Sequence, residues 1–302
     1  MPRMGISHYI KEIGRGKDGA RALGREQASD LMGQILDQQV SDLELGAFCL
    51  AMRIKGETPE EMAGFLDATH ARLNKVSTHG APTVVLPSYN GARKLPVLTP
   101  LLAHLLAREG VAVVVHGTAT EDKRVSSQSV LAELGMTACK ASPNVKAGEV
   151  VFVPTGVLNT GLEKLLAVRR VVGLRNSGHS LVKLMNPCDA PALVVSSYTH
   201  PEYLQSMSAT FALTGQHALL LRGTEGEPVA DARRTPAMDV FKDGQTRRVQ
   251  DQREGSLEQL PDMPAIDAAS TAACIQQVLR GERAVPEPIA LQVQHILHEV
   301  KP

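Results

Sequence analysis

The sequence predicts an α/β protein in which a small helical N-terminal domain precedes a larger α/β domain with a mostly parallel central sheet. Two observations carry this. Residues 1–75 show helix-type spacing and punctuation, and after Lys75 short β-branched runs alternate with helical stretches. Unbroken apolar strands interleaved with helices are what a parallel sheet covered on both faces requires. Composition agrees: 302 residues, 43% hydrophobic and 21% charged, supply material for one large domain or two ordinary ones.

Ser41-Asp42-Leu43-Glu44 reads as a capping box, the Ser hydroxyl accepting from the amide of Glu44 while the Glu carboxylate reaches back. The helix it opens runs through Leu45, Phe48, Cys49 and Met52 and stops at Gly56, which suits the left-handed residue after a helix. Thr58-Pro59-Glu60-Glu61 starts the next, with proline where a missing N–H costs nothing, and Met62, Phe65, Leu66 and Leu73 share a face. Strands are expected at 83–86, 111–115, 150–153, 193–196 and 218–221. Helices are expected between them, around 98–108, 126–134, 159–168 and 201–214. The stretch 228–262 is rich in charge and turn residues and reads as long loops with at most one short element. Two helices, near 265–280 and 289–300, close the chain. The helical domain is expected over 1–75, completed by about 161–186, with 76–302 forming the α/β domain.

Lys and Arg total 32 against 32 Asp and Glu, so the formal net charge is zero. That excludes a uniformly basic nucleic-acid binder and an acidic disordered tail. Aromatics at 3%, with no Trp, argue against a stacking platform for single strands. Cys49, Cys139, Cys188 and Cys274 are far apart and form no metal-ligand spacing, so they read as free thiols in a reducing cytoplasm. Residues 1–17 lack the apolar core of a leader, and no apolar run approaches the roughly 18 residues of a membrane span. The expectation is a cytoplasmic protein with no membrane partner.

In sheets of this kind ligands bind beyond the carboxyl ends of the strands. Three such ends bear on chemistry: Pro87-Ser88-Tyr89-Asn90-Gly91-Ala92-Arg93, His116-Gly117-Thr118, and Arg222-Gly223-Thr224-Glu225-Gly226-Glu227. The order of a four-helix N-terminal segment, a strand and loop near residue 87, then the V-V-V-H-G and V-S-S-x-S-V-L-A-E-L-G stretches resembles anthranilate phosphoribosyltransferase. The run from Gly173 through Arg175, Asn176 and His179 to Lys183 and Pro187, with the R-G-T-E-G-E loop, is similar to the YbiB-like branch of that fold. The resemblance spans essentially the whole chain. It implies a helical domain that mediates homodimerisation, an α/β domain, and, for the YbiB-like branch, association with nucleic acid, DNA before RNA.

Departures from the transferase pattern are as informative. The family's G-T-G-G-D loop lets backbone amides approach pyrophosphate; here Pro87-Ser88-Tyr89-Asn90-Gly91 stands in its place. The hydroxyl-bearing stretch after it becomes Pro96-Val97-Leu98-Thr99, with a single hydroxyl, and the Mg²⁺-ligating Asp-Glu pair aligns with Pro228-Val229. The expectation is therefore a lost anion loop, no catalytic residues and no cofactor, Mg²⁺ entering only if a transferase reaction survives. Asn90, Gly91, His116, Gly117, Ser126, Ser127, Arg175 and His179 would then line a vestigial substrate pocket. Glu225 and Glu227 read as a solvated loop, or, for a surviving transferase, as shifted metal ligands.

The neutral total hides local surpluses. Residues 1–25 carry six cations against two acids, and 232–253 six against three. Arg15, Lys17, Arg93, Arg169, Arg170, Lys183, Arg233, Arg234, Arg247 and Arg248 are the candidate phosphate contacts. Without a base-reading motif, such contacts give affinity and little sequence specificity. The expected function is thus non-catalytic binding of nucleic acid by a homodimer, with a phosphoribosyltransferase acting on a phosphoribosyl or nucleoside substrate as the alternative.

Overall fold

The computed structural model describes residues 5–16, 18–256, 258 and 261–301. Helices α1 (Ser7–Ile13), α2 (Arg25–Leu36), α3 (Asp42–Lys55) and α4 (Pro59–His70) come first. Then follow β1 (Thr83–Ser88), α5 (Thr99–Arg108), β2 (Ala112–Gly117), α6 (Ser127–Glu133) and β3 (Val150–Pro154). Helices α7 (Thr155–Leu158), α8 (Thr160–Val172) and α9 (Gly178–Leu181) lead to β4 (Leu193–Tyr198), α10 (Pro201–Thr214) and β5 (Ala218–Arg222). A hairpin, β6 (Met238–Lys242) and β7 (Gln245–Gln250), precedes α11 (Ala268–Leu279) and α12 (Glu287–Val300). The chain divides into two compact units, Met1–Asn74 with Thr155–Met185, and Lys75–Pro154 with Asn186–Pro302.

The helical unit is organised by its two capping boxes, both formed as the residues require. Glu44 closes on the Ser41 amide at 2.9 Å, and its other oxygen accepts from the Ile6 amide at 3.1 Å. Glu61 accepts from the Thr58 amide, from the Leu23 amide and from Lys55 Nζ at 2.6 Å. Each box thus also fixes the chain entering α1 or α2. Glu61 is fully buried, and paired donors on both oxygens are what make a buried charge tolerable. Helices α2 and α4 cross closely at Gly64, where a Cβ would lie 2.2 Å from the Arg25 carbonyl oxygen.

In the other unit seven strands run in the order β3-β2-β1-β4-β5-β6-β7. The first five are parallel, and β6 and β7 join antiparallel at one edge. Every residue of β1 and β2 is buried, which explains why these segments show no polar alternation. Val84, Leu86, Val113, Val115, Val195 and Leu221 pack with α5, α6, α11 and α12. On the other face α10 lies against β4 to β6, with Phe211 and Phe241 centroids 5.3 Å apart. The hairpin corrects the expectation of loops over 228–262. Its turn is Asp243-Gly244, both at positive φ (50° and 77°), the residue pair suited to a two-residue hairpin turn. Among the described residues no helix is long and apolar enough to cross a membrane.

Candidate functional site

The strand order reverses beside β1, whose neighbours are β2 on one side and β4 on the other. Its carboxyl end is therefore the switch point at which sheets of this type place ligands. The chain leaving β1 turns its amides inward. The Asn90 and Gly91 amides donate to one oxygen of Glu227, at 2.8 and 2.9 Å. The Ser88 and Thr99 hydroxyls reach the other oxygen at 2.5 and 3.1 Å. Ser88 Oγ also donates toward Ser127 Oγ at 2.7 Å, so its single proton serves Ser127 or Glu227, while Ser127 Oγ lies 3.4 Å from Glu227. Three further amides, of Arg93, Lys94 and Leu95, converge on a Glu225 oxygen at 2.8, 2.9 and 3.2 Å. Burial raises the pKa of Glu225, but those three amides and Arg124 outweigh it, and the net direction is downward.

Two expectations are overturned here. The loop at 87–91 has not lost the capacity to hold an anion; it holds one, and the anion is Glu227. Nor is Glu227 a solvated side chain, being 1% exposed. Proline and tyrosine in the loop did not matter because the donors come from Asn90 and Gly91 onward, and the lone hydroxyl of the following stretch, Thr99, is also used.

The turn that delivers the two carboxylates fits tightly. Glu225 is left-handed at φ 52°, a costly conformation for a residue with a side chain. At Gly226 (φ 87°) a Cβ would lie 2.0 Å from Asn90 Nδ2. Asn90 Nδ2 donates to the Glu225 carbonyl and Ser197 Oγ to that of Gly226, both at 2.7 Å. Gly117 is needed for a similar reason, since a Cβ there would lie 1.9 Å from the Ser88 carbonyl oxygen.

His116, on β2, is fully buried; its Nδ1 lies 2.8 Å from Tyr89 Oη, and burial lowers its pKa to about 3. Burial thus holds the ring neutral. Ser126 is the N-cap of α6, accepting from the Ser129 amide at 3.0 Å. The space between Tyr89, Thr118, Thr120 and Arg124 is about 10 Å³, roughly a single water. Arg175 and His179 belong to the helical unit. His179 is buried against Asn176, and burial, then Arg175 and Arg169, lower its pKa to about 3.

The residues present do not fit Mg²⁺. Val229 is fully buried and apolar, both oxygens of Glu227 are taken by neutral donors, and the described residues contain no cluster of three or more His, Cys, Asp or Glu suited to a metal ion.

The candidate phosphate contacts fall into both units. Arg15 pairs with Glu12 at 2.7 Å, and Lys17 lies outside the described residues. Lys183 is a correction: at 9% exposure it is too buried to lie along a phosphate backbone. Arg169 and Arg170 occupy the last turn of α8, and Arg93 is exposed beside the Glu225 nest. Arg233 and Arg234 share Asp231, Arg247 pairs with Glu299 at 2.5 Å, and Arg248 with Asp239 at 2.6 Å. Asp231, Glu299 and Glu287, which pairs with Arg253 at 2.7 Å, lie outside the 232–253 window, so the surplus of three positive charges read there is cancelled. The acids are recessed, however. Glu299 and Asp239 side chains are 8% and 13% exposed, against 58% and 48% for Arg247 and Arg248.

Comparison with known proteins agrees with this architecture. A model for the helical bundle domain of a glycosyl transferase family matches residues 7–72. The anthranilate phosphoribosyltransferase of Thermus thermophilus superposes with a TM-score of 0.74 at 24% identity, over 96% of this chain and 87% of that one. In sequence, the anthranilate phosphoribosyltransferase of Anaeromyxobacter dehalogenans is 27% identical over 95% of this chain and 86% of its own. The fold is thus anthranilate phosphoribosyltransferase-like. Within that class the chain belongs to the YbiB family: the uncharacterized protein YbiB of Escherichia coli is 40% identical over 96% of this chain and 92% of its own.

Proposed function

We propose that this protein is a non-catalytic member of the phosphoribosyltransferase-like fold that binds nucleic acid along its phosphate backbone, with little sequence specificity. The observation that carries the reading is the surface of the β6–β7 hairpin, where Arg247 and Arg248 stand outward on recessed carboxylates. A guanidinium has five N–H donors and one carboxylate engages two of them, so a preoriented arginine keeps donors for a phosphate. Glu227 in the amide cradle supports the non-catalytic part, because a phosphoribosyl diphosphate would have to displace it. Dimerisation through the helical unit would double the surface and raise its avidity. Leu43, Leu50 and Ile54, spaced seven and four along one face of α3 and 84%, 47% and 63% exposed, support it.

The test is titration of a labelled oligonucleotide at several salt concentrations. Log affinity should fall linearly with log salt, with a slope of about −0.7 to −0.9 per phosphate contacted. Arg247→Gln with Arg248→Gln should weaken binding across all sequences and flatten that slope by about two contacts. Reversal to Glu is the poorer variant, since it sets like charges beside Glu299 and Asp239. No binding at low ionic strength would sink the reading.

A second reading, a phosphoribosyltransferase, is favoured by one observation: the Asn90 and Gly91 amides and the Thr99 hydroxyl still converge on one anion. It requires the 223–227 turn to withdraw, and it predicts Mg²⁺-dependent consumption of phosphoribosyl diphosphate by the unmodified protein. An absence of turnover at saturating diphosphate would remove it.

A further inference from the structure

At the opposite end of the sheet from Glu227, where α5 finishes and β3 begins, the α/β unit holds a cavity of about 350 Å³. That volume lies in the range of small-molecule sites. Its walls are His104, Ala107 and Arg108 of α5, Met136 beyond α6, and Gly148 and Val150 where the chain enters β3. His104 and Arg108 are four residues apart, so one face of α5 carries both. The acids nearest in sequence are engaged elsewhere. Glu109 pairs with Lys301 at 3.2 Å, and Glu149 accepts from the Lys146 amide at 2.9 Å, stapling the turn before β3. Arg108 is exposed and has no ion pair among the described residues. Nor is it needed to close the helix, because the Glu109 and Gly110 amides already reach the Leu106 and Ala107 carbonyls at 3.1 and 2.9 Å. Nε2 of His104 is buried and has no hydrogen-bond partner among the described residues. Burial first, then Arg108, lowers the His104 pKa, so the ring stays neutral beside the guanidinium.

We propose that this cavity binds a small organic carboxylate, with Arg108 and His104 holding the carboxylate group and Ala107, Met136 and Val150 covering its apolar body. Three features select that ligand class. A guanidinium fork without an acid matches the two oxygens of a carboxylate, and such charge-assisted pairs are about twice as strong as neutral ones. A neutral imidazole adds one N–H donor without a second positive charge. The remaining side chains are aliphatic or thioether, which favours an apolar body and gives a free phosphate no further partner. The far wall is fixed as well. Gly148 is left-handed at φ 83°, and its amide donates to the Val111 carbonyl at 3.2 Å, tying the turn to the chain that enters β2. The cavity lies beside the edge strand β3, with the arginine hairpin at the other edge of the sheet, so its test does not depend on nucleic-acid binding.

The experiment follows backbone amide chemical shifts of the full-length protein during titration with sodium hexanoate, hexanamide or inorganic phosphate, at constant pH and ionic strength. Hexanoate should give saturating shifts at Arg108, Met136, Gly148 and Val150. Hexanamide, which keeps the apolar body without the charge, and phosphate, which keeps charge without the body, should each bind about tenfold more weakly or not at all. Arg108→Gln should weaken hexanoate about tenfold, the loss expected for one charge-assisted pair. Arg108→Lys, which keeps the charge and loses the fork, should fall between the two. His104→Phe, which keeps a ring and removes its polar atoms, should also weaken hexanoate. Wild type with no saturating shift at those four amides overturns the proposal, and this measurement stands whether or not every variant folds. So does a folded Arg108→Gln or His104→Phe protein that binds hexanoate as wild type does. Equal binding of hexanamide, or stronger binding of phosphate at the same amides, overturns the assignment to a carboxylate. An Arg108 that only complements the dipole of α5 would lower the unfolding temperature when replaced by Gln and leave the wild-type spectrum unmoved by hexanoate, which overturns it too.

Discussion

His116 and His179 are the residues whose chemistry burial decides most strongly. Both have folded pKa values near 3, against an ordinary 6.5, and burial is the first cause for each. A depressed histidine pKa means the folded state refuses a proton that the unfolded chain accepts. The stability each contributes is therefore complete above about pH 6.5 and is lost as pH falls toward 3, by up to about 1.4 kcal/mol per unit per group. Glu225 acts in the same direction at lower pH, since its depressed value favours the folded state only while it stays ionised. His116→Asn should flatten the acid limb of a urea-midpoint profile between pH 6.5 and 4 while lowering the midpoint at pH 7.5. An unchanged limb would mean that His116 is not held neutral by the fold. The same residues mark where sequence reading ran short. Asn90 and Gly91 were legible because they follow a strand end, and Ser127 entered through the family resemblance. Glu227 was not, because a glutamate between glycine and proline on a charged chain looks like a solvated loop.

At the scale of elements, local signals were strong wherever a helix terminus or a turn imposes one backbone geometry. Ser41 with Glu44 and Thr58 with Glu61 could be read as capping boxes, and both form. What could not be read was the second duty of each glutamate, because Ile6 and Leu23 are 38 residues away in sequence. Gly64 illustrates the same limit. Inside α4 it costs helix propensity, about 1 kcal/mol relative to alanine, and nothing local accounts for it. Its reason is the Arg25 carbonyl across the α2–α4 crossing. Gly64→Ala should accordingly destabilise by about 1–3 kcal/mol in urea denaturation despite the better propensity. A stabilised variant would show that the two helices yield freely. The β6–β7 hairpin was legible in principle from Lys-Asp-Gly-Gln between β-branched residues, but the surrounding charge obscured it.

For the molecule as a whole, the proposed dimer makes a separate prediction about the α3 face. Leu50→Glu with Ile54→Glu places two charges among exposed apolar side chains, where no intramolecular core is disturbed. The variant should sediment as a monomer at micromolar concentration while keeping its helical content, and its avidity for long nucleic acid should fall with the loss of the second surface. A variant that still sediments as a dimer would place the interface elsewhere. Charge at this scale also needs its distribution and not its sum. The zero net charge excludes a uniformly basic surface, yet each arginine of the hairpin region is held by an acid, so the local surplus is smaller than the sequence window implied.

Read alone, the sequence determined the α/β class, the parallel strands and the helix termini, because those follow from apolar runs, capping residues and turn residues that act over a few positions. It also located the strand ends at which ligands of such sheets gather. Only the tertiary structure decided what sits there. The contacts of Glu227 reach residues 100 to 139 positions away, and no local pattern encodes that a carboxylate, a neutral nest and a buried site will meet. Departures from the family pattern carried the expectation of a lost anion loop. Folding brings the chain's own anion into it instead, because buried amides without an acceptor are costly and a tethered carboxylate is the nearest one available.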